Sequence, residues 1–497
     1  MGNASRIISN TFYLFMDWIV LILGGYFYWV IMGKLLSPGE VGRFSTVYNI
    51  AMFLVSFASL GINIAITKLF PYYEKNGQRK KIAGSLRWAA KITSLSSIIF
   101  GIVLVVFNSS ISKTIPITVN DSVLIFFMIF VTNLLYITNG YLYGLQKIKS
   151  IFLSDAALSI SKILVTLPLI ILGYSYLGPI YGFLAASLIT LGIRYRLVPR
   201  GKGPVDKEKI WFYSIPVLVS NIGTMLINQG SIVILSILST PISVGLFSLI
   251  FFLSSPVRMI PQLISFGTFP VMSQQSDNKD SVNRIFFHGT RYSMILAFPI
   301  LATIAIFSKQ IILLLASGQY LEGASIIAPL AVAYLFVGLA TVFINTLYAT
   351  GRVNESRNAN LIAGFVNLVA SMMLIPKFGL LGASLAFLVC GFSMMIYSGI
   401  KIKTSLNLAF PVRDTMKILM SLAFYLIFSY GANRFMNGNY WEITVVGGLV
   451  VYSSVLLITK FFNETDVGMI NYIKSRFPKF THSAFDRILG LISRFSD

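Results

Sequence analysis

Pro241-Ile-Ser-Val-Gly-Leu-Phe-Ser248 opens a long apolar run that carries one arginine, Arg258, deep inside it. The octet has a partner 203 residues earlier, Pro38-Gly-Glu-Val-Gly-Arg-Phe-Ser45, and both copies read P-x-x-V-G-x-F-S. Each copy leads into an apolar stretch. One local pattern used twice at this separation predicts a chain made of two similar halves.

The apolar stretches around the two octets set the fold class. About 20 apolar residues are needed for a helix to cross the hydrocarbon of a bilayer. Fourteen runs meet that need: 11–36, 41–70, 83–107, 121–143, 151–173, 176–198, 210–238, 243–274, 284–316, 323–350, 355–376, 379–403, 411–437 and 440–462. The chain is 56% hydrophobic and 11% charged, with mean hydropathy +0.79, which leaves too little polar surface for a soluble protein of 497 residues. The first run is too long for a signal-peptide core and lacks a small-residue cleavage site, so it reads as a retained helix.

The expected fold is an all-α integral membrane protein of about fourteen transmembrane helices. Two pseudo-symmetric six-helix lobes would surround a central cavity, with two further helices at the C-terminal end. The N-lobe spans 1–200, a cytoplasmic linker 201–209 and the C-lobe 210–405; the extra helices occupy 406–462 and a cytoplasmic amphipathic tail 463–497. A second echo supports the duplication: Leu177-Gly-Pro-Ile-Tyr-Gly-Phe-Leu-Ala185 and Phe378-Gly-Leu-Leu-Gly-Ala-Ser-Leu-Ala386 lie 201 residues apart. Six spans per half make both halves run the same way through the membrane, as in parallel-repeat transporters. In the tail, Phe485, Ile488, Leu489, Ile492 and Phe495 share one helical face, the pattern of a helix lying on the membrane surface.

A net charge of +22 invites a nucleic-acid reading, but the placement of the charges argues otherwise. Of 39 Lys and Arg residues, 31 fall at the N-terminus, in the even-numbered connections or in the C-terminal tail. That is the positive-inside bias of a multi-pass protein with both termini in the cytoplasm, here of the plasma membrane. The basic loops, Arg194–Lys209 among them, meet anionic lipid headgroups and no nucleic acid is expected.

Two cations lie far from any loop. Lys162 is roughly 15–18 Å into the run 151–173, and Arg258 roughly 20–24 Å into the run 243–274. Each needs water, a counter-charge or an anionic ligand, because an unpaired Lys or Arg at mid-membrane costs about 2.5–3.5 kcal/mol. Asp155 is about 10 Å along the helix from Lys162, too far to pair with it. Asp17 and Asp155 are candidates for coupling Na⁺ or H⁺.

Polar residues also recur at helical spacing. Asn221, Thr224, Asn228 and Ser231 form one stripe; Ser255, Arg258, Gln262 and Ser265 another; Asn49 lies on a third with Ser45, Ser56 and Asn63. The functional reading is a water-filled cavity in which Arg258, Lys162, Asn228, Asn221, Gln262 and Asn49 contact substrate. The structural alternative is that the stripes join helices, and that carbonyls freed at the prolines satisfy the cations. Arg284, His288 and Arg291 read as interface residues that snorkel to the membrane surface.

The chain lacks a phosphate-binding loop, a D-x-D pair and metal-ligand spacing, and Cys390 is its one cysteine. Neither a cofactor nor catalysis is expected, and the short outer loops argue against a glycan transferase or polymerase.

Four segments, two of them overlapping the repeats, carry a family likeness: Val244-Gly-Leu-Phe-Ser248, Tyr348-Ala-Thr-Gly-Arg352, Leu374-Ile-Pro-Lys-Phe-Gly-Leu-Leu-Gly-Ala-Ser384 and Leu60-Gly-Ile-Asn63. In order and spacing they resemble the Wzx-type polysaccharide flippases of the multidrug/oligosaccharidyl-lipid/polysaccharide (MOP) exporter superfamily, over the first twelve runs. The resemblance implies two lobes around a cavity lined by the first, second, seventh and eighth helices. It further implies alternating access that carries a polyprenyl-(di)phosphate-linked oligosaccharide from the cytoplasmic to the outer leaflet. The related lipid II flippases place arginines on the first, second and eighth helices; here the first offers Asp17 instead. That acid and Asp155 resemble the cation site of the multidrug exporters, the rival function within the superfamily. The protein is expected to act as a monomer among membrane lipids, with association with glycan-assembly proteins left open.

Overall fold

The computed structural model describes residues 3–436 and 440–463, with 466–468, 471, 474, 486 and 490 beyond them; side chains are described from residue 9, except 11. The tail residues Phe485, Ile488, Leu489, Ile492 and Phe495 lie outside the described set. The helices, in order, are α1 (Asn3–Leu35), α2 (Pro38–Ala58), α3 (Ile62–Lys75), α4 (Arg79–Val106), α5 (Asn108–Ile111), α6 (Val119–Gly144), α7 (Ile148–Ile171), α8 (Leu177–Tyr195), α9 (Lys207–Leu238), α10 (Pro241–Leu253), α11 (Pro256–Gln274), α12 (Lys279–Ile306), α13 (Ser308–Leu315), α14 (Ile327–Ala349), α15 (Val353–Lys401), α16 (Val412–Phe435) and α17 (Trp441–Ile458). No strand occurs among the described residues.

Twelve helical stretches are long and apolar enough to cross a membrane, and α10 with α11 together make a thirteenth. The backbone of α15 leaves helical geometry at Gly379 (φ 53, ψ −124). A Cβ placed on Gly382 would lie 2.2 Å from the carbonyl oxygen of Leu374, whereas eight residues of straight helix would separate them by about 12 Å. The chain therefore doubles back there, and α15 holds two crossings. This brings the described spans to the fourteen expected. The runs differ inside: 41–70 breaks at Leu60 and Gly61, both at positive φ, and 243–274 breaks at Ser254-Ser255.

The chain forms two compact units. The first comprises Met1–Ser254, Ile311–Ala333 and Asn354–Met394; the second comprises Ser255–Gln310, Tyr334–Val353 and Met395–Asp497.

In the first unit the two octets pack directly on each other. Ser37 and Thr240 cap α2 and α10, accepting from the backbone N–H of Glu40 and Ser243, and a proline follows each cap at the first helical position. Gly42 of α2 then lies against the Pro241 carbonyl, and Gly245 of α10 against that of Pro38. Phe44 and Phe247, equivalent in the repeat, are both buried. The α7–α8 connection turns through Gly173 (φ 86), and a Cβ on Gly182 would meet Thr166 Oγ1 at 1.9 Å. The second echo thus also marks a tight helical hairpin, as at Gly379. The linker is packed too, since a Cβ on Gly84 would meet the Gly203 carbonyl oxygen at 2.3 Å.

The second unit is centred on Met272, Phe286, Phe343, Leu347, Ile402 and Leu408. Phe410 meets Phe286 and Phe343 edge-on at 5.4 and 5.3 Å.

Candidate functional site

The helices of the first unit bring three buried ionisable groups together. Asp17 of α1 is 3% exposed, Asp155 of α7 is 6% exposed and Arg194 of α8 is 2% exposed. Arg194 Nη2 donates to Asp155 Oδ1 at 2.5 Å, Nε to Ser154 Oγ at 2.9 Å and Nη1 to the Leu135 carbonyl at 3.2 Å. The Asp17 carboxyl faces that of Asp155, and its Oδ1 has no hydrogen-bond partner among the described residues. The expected acids therefore meet, but they share their site with a cation the sequence reading assigned to a loop. That placement of Arg194 is corrected: it occupies the last turn of α8, where its charge requires a carboxylate partner.

Lys162 is half-buried on α7, two turns beyond Asp155. Its Nζ sits 4.4 Å from the ring centroid of Tyr28, whose hydroxyl donates to the Pro179 carbonyl at 3.0 Å. It has no carboxylate in ion-pairing reach among the described residues. The same holds for Arg258, in the first turn of α11 in the second unit. Its guanidinium lies 5.4 Å from the Tyr334 ring centroid, and its buried Nε has no acceptor among the described residues. A buried donor without an acceptor is costly.

The polar stripes divide. Ser231 donates to Asn367 Oδ1 at 2.9 Å and lies 3.2 Å from Ser371 Oγ, while Asn367 Nδ2 donates to the Leu226 carbonyl at 2.8 Å. Asn345 donates to Ser265 at 2.8 Å. These members join helices, so the reading of the stripes as lining is corrected for them. Asn49, 5% exposed, gives its amide N–H to Ser45 of its own helix. Asn228 likewise bonds within its helix, to Thr224, but is only half-buried, as are Asn221 and Gln262.

Arg291 is a second correction, because it does not snorkel. It is 0% exposed; Nη1 and Nη2 donate to Asp466 at 2.6 and 2.8 Å, and Nη2 also to the Phe461 carbonyl at 2.6 Å. Its Nε lies 2.8 Å from Asp414 Oδ2 without hydrogen-bond alignment. Asp466, beyond the last span, also accepts from Tyr292 at 2.5 Å and from the Asn463 backbone at 2.8 Å. Burial acts to raise the Asp466 carboxyl, but the hydrogen bonds from Arg291, Tyr292 and Asn463 outweigh it and hold it below the ordinary carboxylate range. Arg284 and His288 line an apolar groove of about 710 Å³ between α11 and α12.

The chain is similar to known proteins in sequence and in fold. A family model described as polysaccharide biosynthesis protein matches residues 31–325. An uncharacterized membrane protein of Methanocaldococcus jannaschii is 21% identical over 397 residues, 72% of this chain and 76% of its own. The probable flippase AglR of Haloferax volcanii is 26% identical over 269 residues, 52% of this chain and 56% of its own. Among solved structures, the lipid II flippase MurJ in an inward closed conformation superposes with TM-score 0.73 at 17% identity, covering 89% of this chain and 97% of that one. An inward-facing multidrug resistance MATE family transporter of the MOP superfamily gives 0.63 at 13% identity, covering 78% and 95%. At these identities the structures report the fold. With more than half of its length matched by the family model, this multi-pass membrane chain belongs to the polysaccharide biosynthesis protein family.

Proposed function

We propose that this transporter flips a polyprenyl-(di)phosphate-linked oligosaccharide from the cytoplasmic to the outer leaflet of the plasma membrane by alternating access. The observation that carries the reading is Arg258, whose buried guanidinium Nε has no acceptor and which has no carboxylate partner among the described residues. Lys162, held over Tyr28, supplies a second cation without an acid. Both suit a phosphate and are poorly suited to a cationic drug. The half-buried amides of Asn221, Asn228 and Gln262 take sugar hydroxyls, and Asp17 with Asp155 couples the cycle to a monovalent cation. The positive-inside distribution supports cytoplasmic termini. The flippase name of the archaeal relative and the fold shared with a lipid II flippase support the substrate class.

The test uses proteoliposomes carrying a polyprenyl-diphosphate glycan, with leaflet accessibility followed over time. Wild type moves the glycan, and Arg258→Ala and Lys162→Ala slow it. Dye export without glycan movement would overturn the function; wild-type rates in both variants would overturn the assignment of these two cations.

A further inference from the structure

Arg194 stands in the Asp17–Asp155 site as an ion the protein supplies itself. Two ionised carboxylates and one guanidinium leave the buried cluster one positive charge short of neutrality. The ionisable neighbours of Asp17 are Asp155 on α7, Arg194 on α8 and Tyr143 on α6. The guanidinium consumes the oxygens that could otherwise ligate a metal: Ser154 Oγ, the Leu135 carbonyl and Asp155 Oδ1. Asp17 Oδ1 is left without a partner among the described residues although Asp17 is 3% exposed.

We propose that Arg194 determines the ion preference of this site, making it take one exchangeable proton between Asp17 and Asp155 and exclude sodium. The inference rests on the coupling role given to these acids above. A hard cation needs several oxygen ligands, and here the α6 and α7 oxygens already face a guanidinium. The charge of Arg194 penalises any added cation, by roughly a hundredfold in affinity at about 5 Å and an effective dielectric near 20. Proton and sodium bear that penalty alike and are told apart by the ligands each needs. A proton needs no ligand shell. It bonds to one carboxyl oxygen, hydrogen-bonds to the other, and leaves the arginine pairing in place.

The experiment follows the thermal unfolding midpoint of the full chain in lipid nanodiscs, with NaCl exchanged for choline chloride at fixed ionic strength, alongside the pH dependence of glycan flipping. Wild type shows no sodium-specific shift and a pH-dependent rate, and Asp17→Asn removes the pH response. Arg194→Gln gains a sodium-specific rise in midpoint, with apparent sodium affinity on the order of tenfold tighter or more. Arg194→Lys keeps the charge and gains none. Should Arg194→Gln fail to fold, the charge-balanced Arg194→Gln/Asp155→Asn variant frees the same oxygens and is expected to gain the sodium response. Sodium-specific stabilisation of wild type, or no sodium response once Arg194 is neutral, overturns the proposal. If neither Asp17→Asn nor Asp155→Asn alters the pH dependence, the coupling role itself fails. If Asp17→Asn abolishes it while Arg194→Gln stays indifferent to sodium, only the role of Arg194 fails.

Discussion

Gly42 and Gly245 meet across the repeat so closely that neither has room for a methyl group. A Cβ on Gly42 would fall 1.7 Å from the Pro241 carbonyl oxygen, and one on Gly245 would fall 1.8 Å from that of Pro38. The contact is reciprocal, so the two octets are related by a local two-fold, and each uses its glycine to admit the other's first helical carbonyl.

Helix propensity favours Ala over Gly by about 1 kcal/mol, so a purely local effect would make Gly42→Ala stabilising. The overlap with backbone predicts the opposite: a loss of about 3 kcal/mol, and a similar loss for Gly245→Ala. The thermal midpoint of the purified protein decides the sign. A midpoint equal to or above wild type in both variants contradicts the close approach.

The Arg291–Asp466 pair joins α12 to the segment that follows the last span. Arg291→Met leaves Asp466 and Asp414 without their cation, and a loss of about 3–5 kcal/mol is expected. Asp466 has a depressed pKa in the folded state, so its contribution is fully present above the ordinary carboxylate value and is lost as pH falls through the folded one. The midpoint of wild type should therefore drop steeply below about pH 4. Asp466→Asn should be less stable at pH 7 and should flatten that drop.

Asn367 and Asn228 were indistinguishable as members of polar stripes. Asn367 bonds Ser231 and the Leu226 carbonyl across helices, whereas Asn228 bonds only Thr224 in its own helix. Asn367→Ala should destabilise by about 0.6–1.7 kcal/mol. Asn228→Ala should leave the midpoint within about 0.5 kcal/mol and slow glycan flipping instead. Equal midpoints for the two variants would dissolve the distinction.

Cys390 is fully buried and is the one cysteine of the chain, so Cys390→Ala gives a background without reactive thiols. In it, Arg258→Cys should react with a water-soluble maleimide, because only a hydrated thiol forms the thiolate that attacks. Leu249→Cys, at a fully buried apolar position, serves as the unreactive control. Equal resistance at both positions would mean that Arg258 does not face water.

Much of the fold was readable because membrane burial acts on single residues. Every apolar run of sufficient length became helical, and two of the breaks fell at glycines held at positive φ, Gly61 and Gly379. The octets and the two glycine hairpins were visible as repeated letters. The site was readable only in part. Asp17, Asp155, Lys162 and Arg258 were identifiable because a charge inside an apolar run is costly wherever it lies. Arg194 escaped notice because it lies near the end of its run, close to Arg196 and Arg200, and looks like the first residue of a basic loop. Arg291 escaped because its partners, Asp414 and Asp466, lie 123 and 175 residues away.

Hydrophobicity and helical period are properties of neighbours along the chain, so the amino-acid sequence by itself determined an all-helical membrane protein with a duplicated plan and a few costly charges. Which helix face meets which is a matter of contacts between distant segments. Only the tertiary structure decided that Gly42 receives the Pro241 carbonyl, that Asn367 is glue, and that Asp155 answers Arg194 and not Lys162. Periodicity assigns a residue to a face but carries no information about what that face will touch, and for a buried charge the partner decides the role.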